Sequence, residues 1–128
     1  MKILGIGVDI IQNSRIKNAI KKKSFINRIF SKVEILNSKK VKNKTNFFAK
    51  RFSAKEAFLK SIGTGIRKGI NFTDICVIND KSGKPNFKFN NKVKNLIIKK
   101  FKTKTYNLFL SLSDEKNYSI AFVIIQKK

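Results

Sequence analysis

Histidine and tryptophan are absent from this 128-residue chain, cysteine and proline occur once each, and only 7 acids stand against 30 lysines and arginines. Each scarcity removes a class of chemistry. Without histidine there is no imidazole general base, no Ser-His-Asp triad and no His-containing zinc centre. The single Cys76 can form neither an intramolecular disulfide nor a Cys-rich metal site. Set in the apolar run ICVI, it reads as a core residue of a protein kept in a reducing, cytoplasmic compartment. No apolar run is long enough to span a membrane, and the opening ten residues read as a strand rather than a signal peptide. No membrane association is expected.

What the chain does have is apolar bulk and positive charge. A hydrophobic content of 41% with 12 phenylalanines is too rich for a disordered polybasic tail, despite a formal charge of +23. The length suits a single domain spanning residues 1–128. Such a charge favours encounter with an anion: nucleic acid, an acidic membrane, a phosphorylated small molecule or an acidic protein. However, only Arg15, Arg28, Arg51 and Arg67 are arginines, and the remaining bases are lysines among abundant asparagine and isoleucine, a pattern that an AT-rich genome also produces. The charge alone names no partner. A small nucleic-acid-binding module is one reading, but arginine is scarce, tryptophan is missing and no RGF-type stacking motif lies on a strand.

The pattern of residues predicts an α+β fold, an antiparallel sheet packed around one long central helix. Residues 2–10 (KILGIGVDI) read as a buried strand ending in an acid, and 13–22 and 24–30 as helical. SKVE at 31–34 is a capping-box pattern opening a further short helix. Residues 45–62 form the strongest helix signal, closed by Gly63. Strands at 74–79 and 86–89 join through NDKSGKP as a hairpin, 93–101 is an amphipathic helix, and strands at 107–113 and 118–125 flank a DEKN turn.

On a helical wheel Phe48, Phe52, Leu59 and Ile62 form an apolar stripe that Phe47 and Phe58 widen, with Lys50, Ser53, Ala57 and Ser61 opposite, free to face water. Arg51 and Lys55 fall inside the apolar arc, and Glu56 lies at its edge. Two readings stay open: long basic side chains snorkelling past the core while Glu56 pairs with Lys60 at i+4, or cations converging on a polyanion beside an acid that holds a metal. Asp9 is equally double. It can cap the turn after its strand, or join Glu56 as one of two hard oxygen ligands for Mg²⁺. The GxG before it lacks the third glycine of a dinucleotide fingerprint, since Ile10 stands there.

Taken together, GIGVDIIQNSRI (5–16) and FAKRFSAKEAFLKSIGTGI (48–66), with SGKP (82–85) and SLSDEKNYSIAFVII (111–125), closely resemble the signatures of the holo-[acyl-carrier-protein] synthases, the small type of 4′-phosphopantetheinyl transferase. The likeness runs through nearly the whole chain in order and spacing. It implies the 4′-phosphopantetheinyl transferase-like fold and a Mg²⁺-dependent transfer, with Mn²⁺ as the alternative metal. The phosphopantetheine arm of coenzyme A passes to a serine of apo-acyl carrier protein in fatty acid biosynthesis, releasing adenosine 3′,5′-bisphosphate. It further implies a homotrimer with sites shared between subunits.

By place in the motif, Asp9 and Glu56 would be metal ligands, with Glu56 and Lys60 catalytic. Arg51, Lys55, Gly63, Thr64 and Gly65 would contact the coenzyme, and Lys84 and Pro85 its nucleotide end, on the same or a neighbouring subunit. Ser111 and Ser113 could touch ligand or be plain strand residues. Arg15, Phe25, Ile26 and Arg28 would dock the carrier, basic groups flanking apolar ones against an acidic helix, although Phe25 and Ile26 also suit a core. Some members of the family carry histidine where this chain has Asp114. Here the base for the serine must be a carboxylate or a polarised water, and water near Glu56 is favoured. A non-catalytic relative that only binds carrier protein is the remaining alternative, against which intact Asp9, Lys55, Glu56 and GTG argue.

Overall fold

The computed structural model describes residues 2–63 and 69–128. Strand β1 (Lys2–Gln12) is followed by three short helices, α1 (Asn13–Ala19), α2 (Lys23–Ile29) and α3 (Lys32–Ser38), and then by the long helix α4 (Lys44–Ile62). A 3₁₀ turn (Phe72–Asp74) leads into β2 (Ile75–Asn79) and β3 (Pro85–Phe89), followed by α5 (Asn91–Phe101), β4 (Tyr106–Asp114) and β5 (Tyr118–Lys127). The antiparallel sheet that the sequence leads one to expect is divided. A three-stranded sheet has the order β1-β5-β4, and β2 and β3 form a separate hairpin.

Helix α4 begins where the Asn43 side chain accepts the Asn46 N–H at 3.0 Å, satisfying one of its orphan donors. It ends at Gly63, whose φ of +73° is the left-handed conformation that glycine adopts without a Cβ penalty. Between these caps the helix is walled in on both sides. Phe58 and Ile62 enter the main core with Ile75, Val77, Val93 and Ile97, while Phe47 and Phe48 enter a second cluster with Ile16, Ile29 and Phe30 beneath α1 and α2. Full burial of a side chain such as Phe58 contributes about 1.5–3 kcal/mol.

The face expected to meet water does not. Ser53 and Ala57 are wholly buried and Ser61 nearly so, because this side of α4 lies against β1. The small residues are there for close approach. A Cβ on Gly5 would collide with the Ser61 carbonyl and one on Gly7 with the Ala57 carbonyl. Glycine on the strand and small residues on the helix thus bring two backbones into direct contact. Strand alternation then turns Ile6, Val8 and Ile10 outward, where they join Phe109, Ile120 and Phe122 in an exposed apolar face.

Candidate active site

Asp9 shares the inward face of β1 with Gly5 and Gly7, four and two residues before it, and so lies beyond the contact seam with α4. Its partner in β5 is Ala121, which has no bulk to push the carboxylate aside. One helical turn apart on α4 stand Glu56 and Lys60. The Lys60 ammonium donates to the Val8 carbonyl at 3.0 Å and to Asp9 Oδ1 at 3.3 Å. Burial pushes the Glu56 carboxyl above its ordinary range, the negative Asp9 adds to the rise, and Lys60 opposes it. Lys60, one helical turn from Glu56, thus ties the Asp9 carboxylate of β1 to α4.

Lys55 and Arg51, one and five residues before Glu56 on the helix, are both buried. The Lys55 ammonium donates to Glu34 Oε1 at 2.7 Å, the Phe72 carbonyl at 3.0 Å and the Ile75 carbonyl at 2.6 Å. These three bonds use all three of its donors. Burial lowers its pKa and Glu34 opposes the fall. The expected contact between Lys55 and a phosphate is thus corrected: the side chain is committed to an internal ion pair with no accessible surface on either partner.

Glu34 is the residue that sequence reasoning read too narrowly. It completes the predicted capping box, accepting the Ser31 N–H at 2.8 Å while Ser31 Oγ accepts the Glu34 N–H at 3.2 Å. Its other carboxylate oxygen takes the Val77 N–H at 3.0 Å. A lysine inside an apolar arc was the available signal, since such a charge demands a buried partner.

Arg51 has donors to spare. Its guanidinium lies 3.6 Å over the Phe47 ring. Nη2 donates to Asn79 Oδ1 at 2.6 Å, and Nη1 makes a long contact of 3.5 Å with the Phe47 carbonyl. Its buried Nε has no partner among the described residues.

Of the other expected site residues, Gly63 caps α4, while Thr64 and Gly65 lie outside the described residues. Lys84 closes the β2–β3 turn and borders a cleft of about 140 Å³ with Leu108, Phe109 and Phe122 at the outer sheet face; Pro85 opens β3. Ser111 lines the same cleft, and Ser113 is exposed. Arg15 and Arg28 are exposed on α1 and α2. Phe25 and Ile26 are half-buried against the second cluster, Phe25 lying 6.2 Å from Phe30 and 6.3 Å from Phe52 between ring centroids. Asp114 does more than shape its turn. It ion-pairs with Lys50 at 3.3 Å and accepts from Asn46 at 2.8 Å, tying β4 to the start of α4. The turn itself is held by Glu115, which accepts the N–H groups of Asn117 and Tyr118, each at 3.0 Å.

Known proteins resemble this chain in sequence and fold. Residues 5–123 match the family model of the 4′-phosphopantetheinyl transferase superfamily, and the chain belongs to that superfamily. It is 59% identical over 128 residues to the holo-[acyl-carrier-protein] synthase of Pelagibacter ubique, with 100% of each chain covered. Among solved structures, holo-[acyl-carrier-protein] synthase from Neisseria meningitidis superposes with a TM-score of 0.89 at 36% identity, covering 98% of this chain and 100% of that one. A holo-(acyl-carrier-protein) synthase from Bacillus anthracis in complex with CoA (3′,5′-ADP) gives 0.81 at 35% identity, covering 98% of each chain. Among the described residues no helix is long and apolar enough to cross a membrane.

Proposed function

We propose that this protein transfers the 4′-phosphopantetheine group from coenzyme A to a serine of apo-acyl carrier protein, releasing adenosine 3′,5′-bisphosphate, as a step of cytoplasmic fatty acid biosynthesis. The observation that carries the reading is the tie between Lys60 on α4 and Asp9 on β1, one helical turn from Glu56, in a chain of this superfamily.

Hard oxygen donors suit Mg²⁺, and two carboxylates are the usual protein share, the remaining positions going to phosphate oxygens and water. Among the described residues no cluster of three or more His, Cys, Asp or Glu could hold a metal alone, which fits a cation completed by substrate. Asp9 and Glu56 would hold it. When bound, Mg²⁺ would supply Lewis-acid polarisation of the diphosphate and offset negative charge there.

The protein's own groups do the rest. Lys60, exposed at the rim and already aimed at Asp9, offsets charge growing on the departing phosphate. Glu56, a carboxylate in a chain without histidine, receives the serine proton through an intervening water. Arg51 supplies a fixed guanidinium, held by the Phe47 ring and Asn79, whose positive charge favours an anion at the site. Gly63, Thr64 and Gly65 let the coenzyme approach backbone after α4. Arg15 and Arg28 flank the apolar Phe25 and Ile26 as the landing face for an acidic carrier helix.

The expected homotrimer is supported by the outer sheet face, where Ile6, Val8, Ile10, Phe109 and Phe122 are each 41–61% exposed and available to a second subunit. A patch of this kind marks an interface. Lys84 borders it, which supports the reading that Lys84 and Pro85 serve the nucleotide end of coenzyme bound to a neighbouring subunit.

The test incubates the protein with apo-acyl carrier protein, coenzyme A and Mg²⁺, with an EDTA control, and weighs the carrier by mass spectrometry. One added phosphopantetheine mass that disappears with EDTA is the expected result. An unmodified carrier with folded enzyme and several carriers would refute the activity.

A further inference from the structure

The turn that carries Lys84 is internally well organised. Asp80 Oδ1 accepts the Ser82 N–H at 2.9 Å, the Ser82 hydroxyl at 2.7 Å and the Lys84 N–H at 2.9 Å. Gly83, at φ +89°, donates its N–H to the Asp80 carbonyl at 3.0 Å. Internal order does not by itself fix where the turn stands relative to α4. Asn79 does that, as the last residue of β2. Its Oδ1 accepts Arg51 Nη2 at 2.6 Å and its Nδ2 donates to the Gly83 carbonyl at 2.8 Å.

One amide thus joins a buried guanidinium on α4 to the exposed turn. The Arg51 end is short and charge-assisted, which makes it the stronger of the two bonds. Arg51 is itself locked by burial and by the Phe47 ring, so it is a fixed point rather than a mobile partner. We infer that Asn79 is a positioning residue, holding the Asp80–Lys84 turn at a set distance from α4 so that Lys84 meets its phosphorylated ligand in a prearranged geometry. The inference rests on the reading of Lys84 as a coenzyme-binding group. Asn79 itself touches no reacting atom.

Prearrangement acts on binding, because a turn free to wander must be ordered when ligand arrives. Asn79→Ala should therefore weaken coenzyme A binding about tenfold, leaving kcat and the KM for carrier protein within about twofold. The experiment measures the Kd of coenzyme A by titration calorimetry in the presence of Mg²⁺, for wild type, Asn79→Ala, Lys84→Ala and the double variant, with melting curves for all four. If Asn79 acts by placing Lys84, the double variant is no weaker than the poorer single variant.

An unchanged Kd in Asn79→Ala overturns the inference, as do fully additive losses. A fall in melting temperature with kcat and both KM values affected together also overturns it, making Asn79 a folding residue. Binding is read separately from transfer. A wild type that binds coenzyme A but modifies no carrier therefore sinks the transferase reading and leaves the positioning claim to its own result.

Discussion

Replacing Lys55 by methionine removes the cation from a buried pair while keeping most of its aliphatic volume. Glu34 is then left as a charge with no accessible surface, still accepting the Ser31 and Val77 N–H groups but without its counter-ion. The carbonyls of Phe72 and Ile75 lose their shared donor as well. Breaking one partner of a buried ion pair costs about 3–5 kcal/mol. Domains of this kind have about 5–15 kcal/mol in total. With a urea slope of about 1–3 kcal/mol per molar, the unfolding midpoint of Lys55→Met should fall by roughly 2 M.

Adding Glu34→Gln removes the stranded charge. The double variant should therefore be more stable than the lysine variant alone, by about 1–2 kcal/mol of coupling. A loss below about 1 kcal/mol in Lys55→Met, or strictly additive effects, would refute the reasoning. So would a variant of full stability that no longer binds coenzyme A, which would return Lys55 to the ligand.

Glu56→Gln should lower transfer at least 100-fold, about 2.7 kcal/mol of barrier, with an unchanged melting temperature; the carrier-mass assay reads the first and thermal unfolding the second. Gly7→Ala forces a methyl into the Ala57 carbonyl and should destabilise by about 1–3 kcal/mol or more in urea titration, lowering activity as β1 is displaced. Phe122→Asp places a charge at the centre of the outer sheet face and should give a smaller species in analytical ultracentrifugation, with transfer reduced in step. At Asp74 partial burial works against ionisation. The Asn71 N–H, Lys92 and Asn90 outweigh it and hold the carboxyl below its usual range. Its contribution is therefore present above the ordinary carboxylate range and lost as pH falls through the lowered folded value. The gap in melting temperature between wild type and Asp74→Asn should close on acidification.

Local pattern carried most of the architecture. Strand 2–10, the helix over 45–62, the NDKSGKP hairpin and the closing pair of strands all lie within a residue or two of the observed elements, because each has its own periodicity and its own cap or turn. The superfamily motif likewise named Asp9 and Glu56. What the sequence did not disclose depends on partners far along the chain. The wheel gave Ser53, Ala57 and Ser61 to solvent, since small and polar residues score alike on hydropathy whether they face water or a glycine strand. The Lys55–Glu34 pair joins residues 21 apart, and nothing local to either end announces the other. Asn79 looked like one more turn-forming asparagine beside Asp80. Its link to Arg51 spans 28 residues and exists only after β2 has been laid beside α4.

The contact between β1 and α4 works as a gauge. Where two elements are separated by a layer of interdigitating side chains, repacking of that layer shifts the spacing between them. Here Gly5 and Gly7 abut the Ser61 and Ala57 carbonyls, so the separation is fixed by atoms that cannot change rotamer. The reach from strand to helix is as short as covalent structure permits, and Asp9 and Glu56 inherit it. Variation in the phenylalanine core can then alter the protein's melting point without changing the distance between β1 and α4. Spacing and stability become separately adjustable, and a lineage under pressure to change one is spared from disturbing the other.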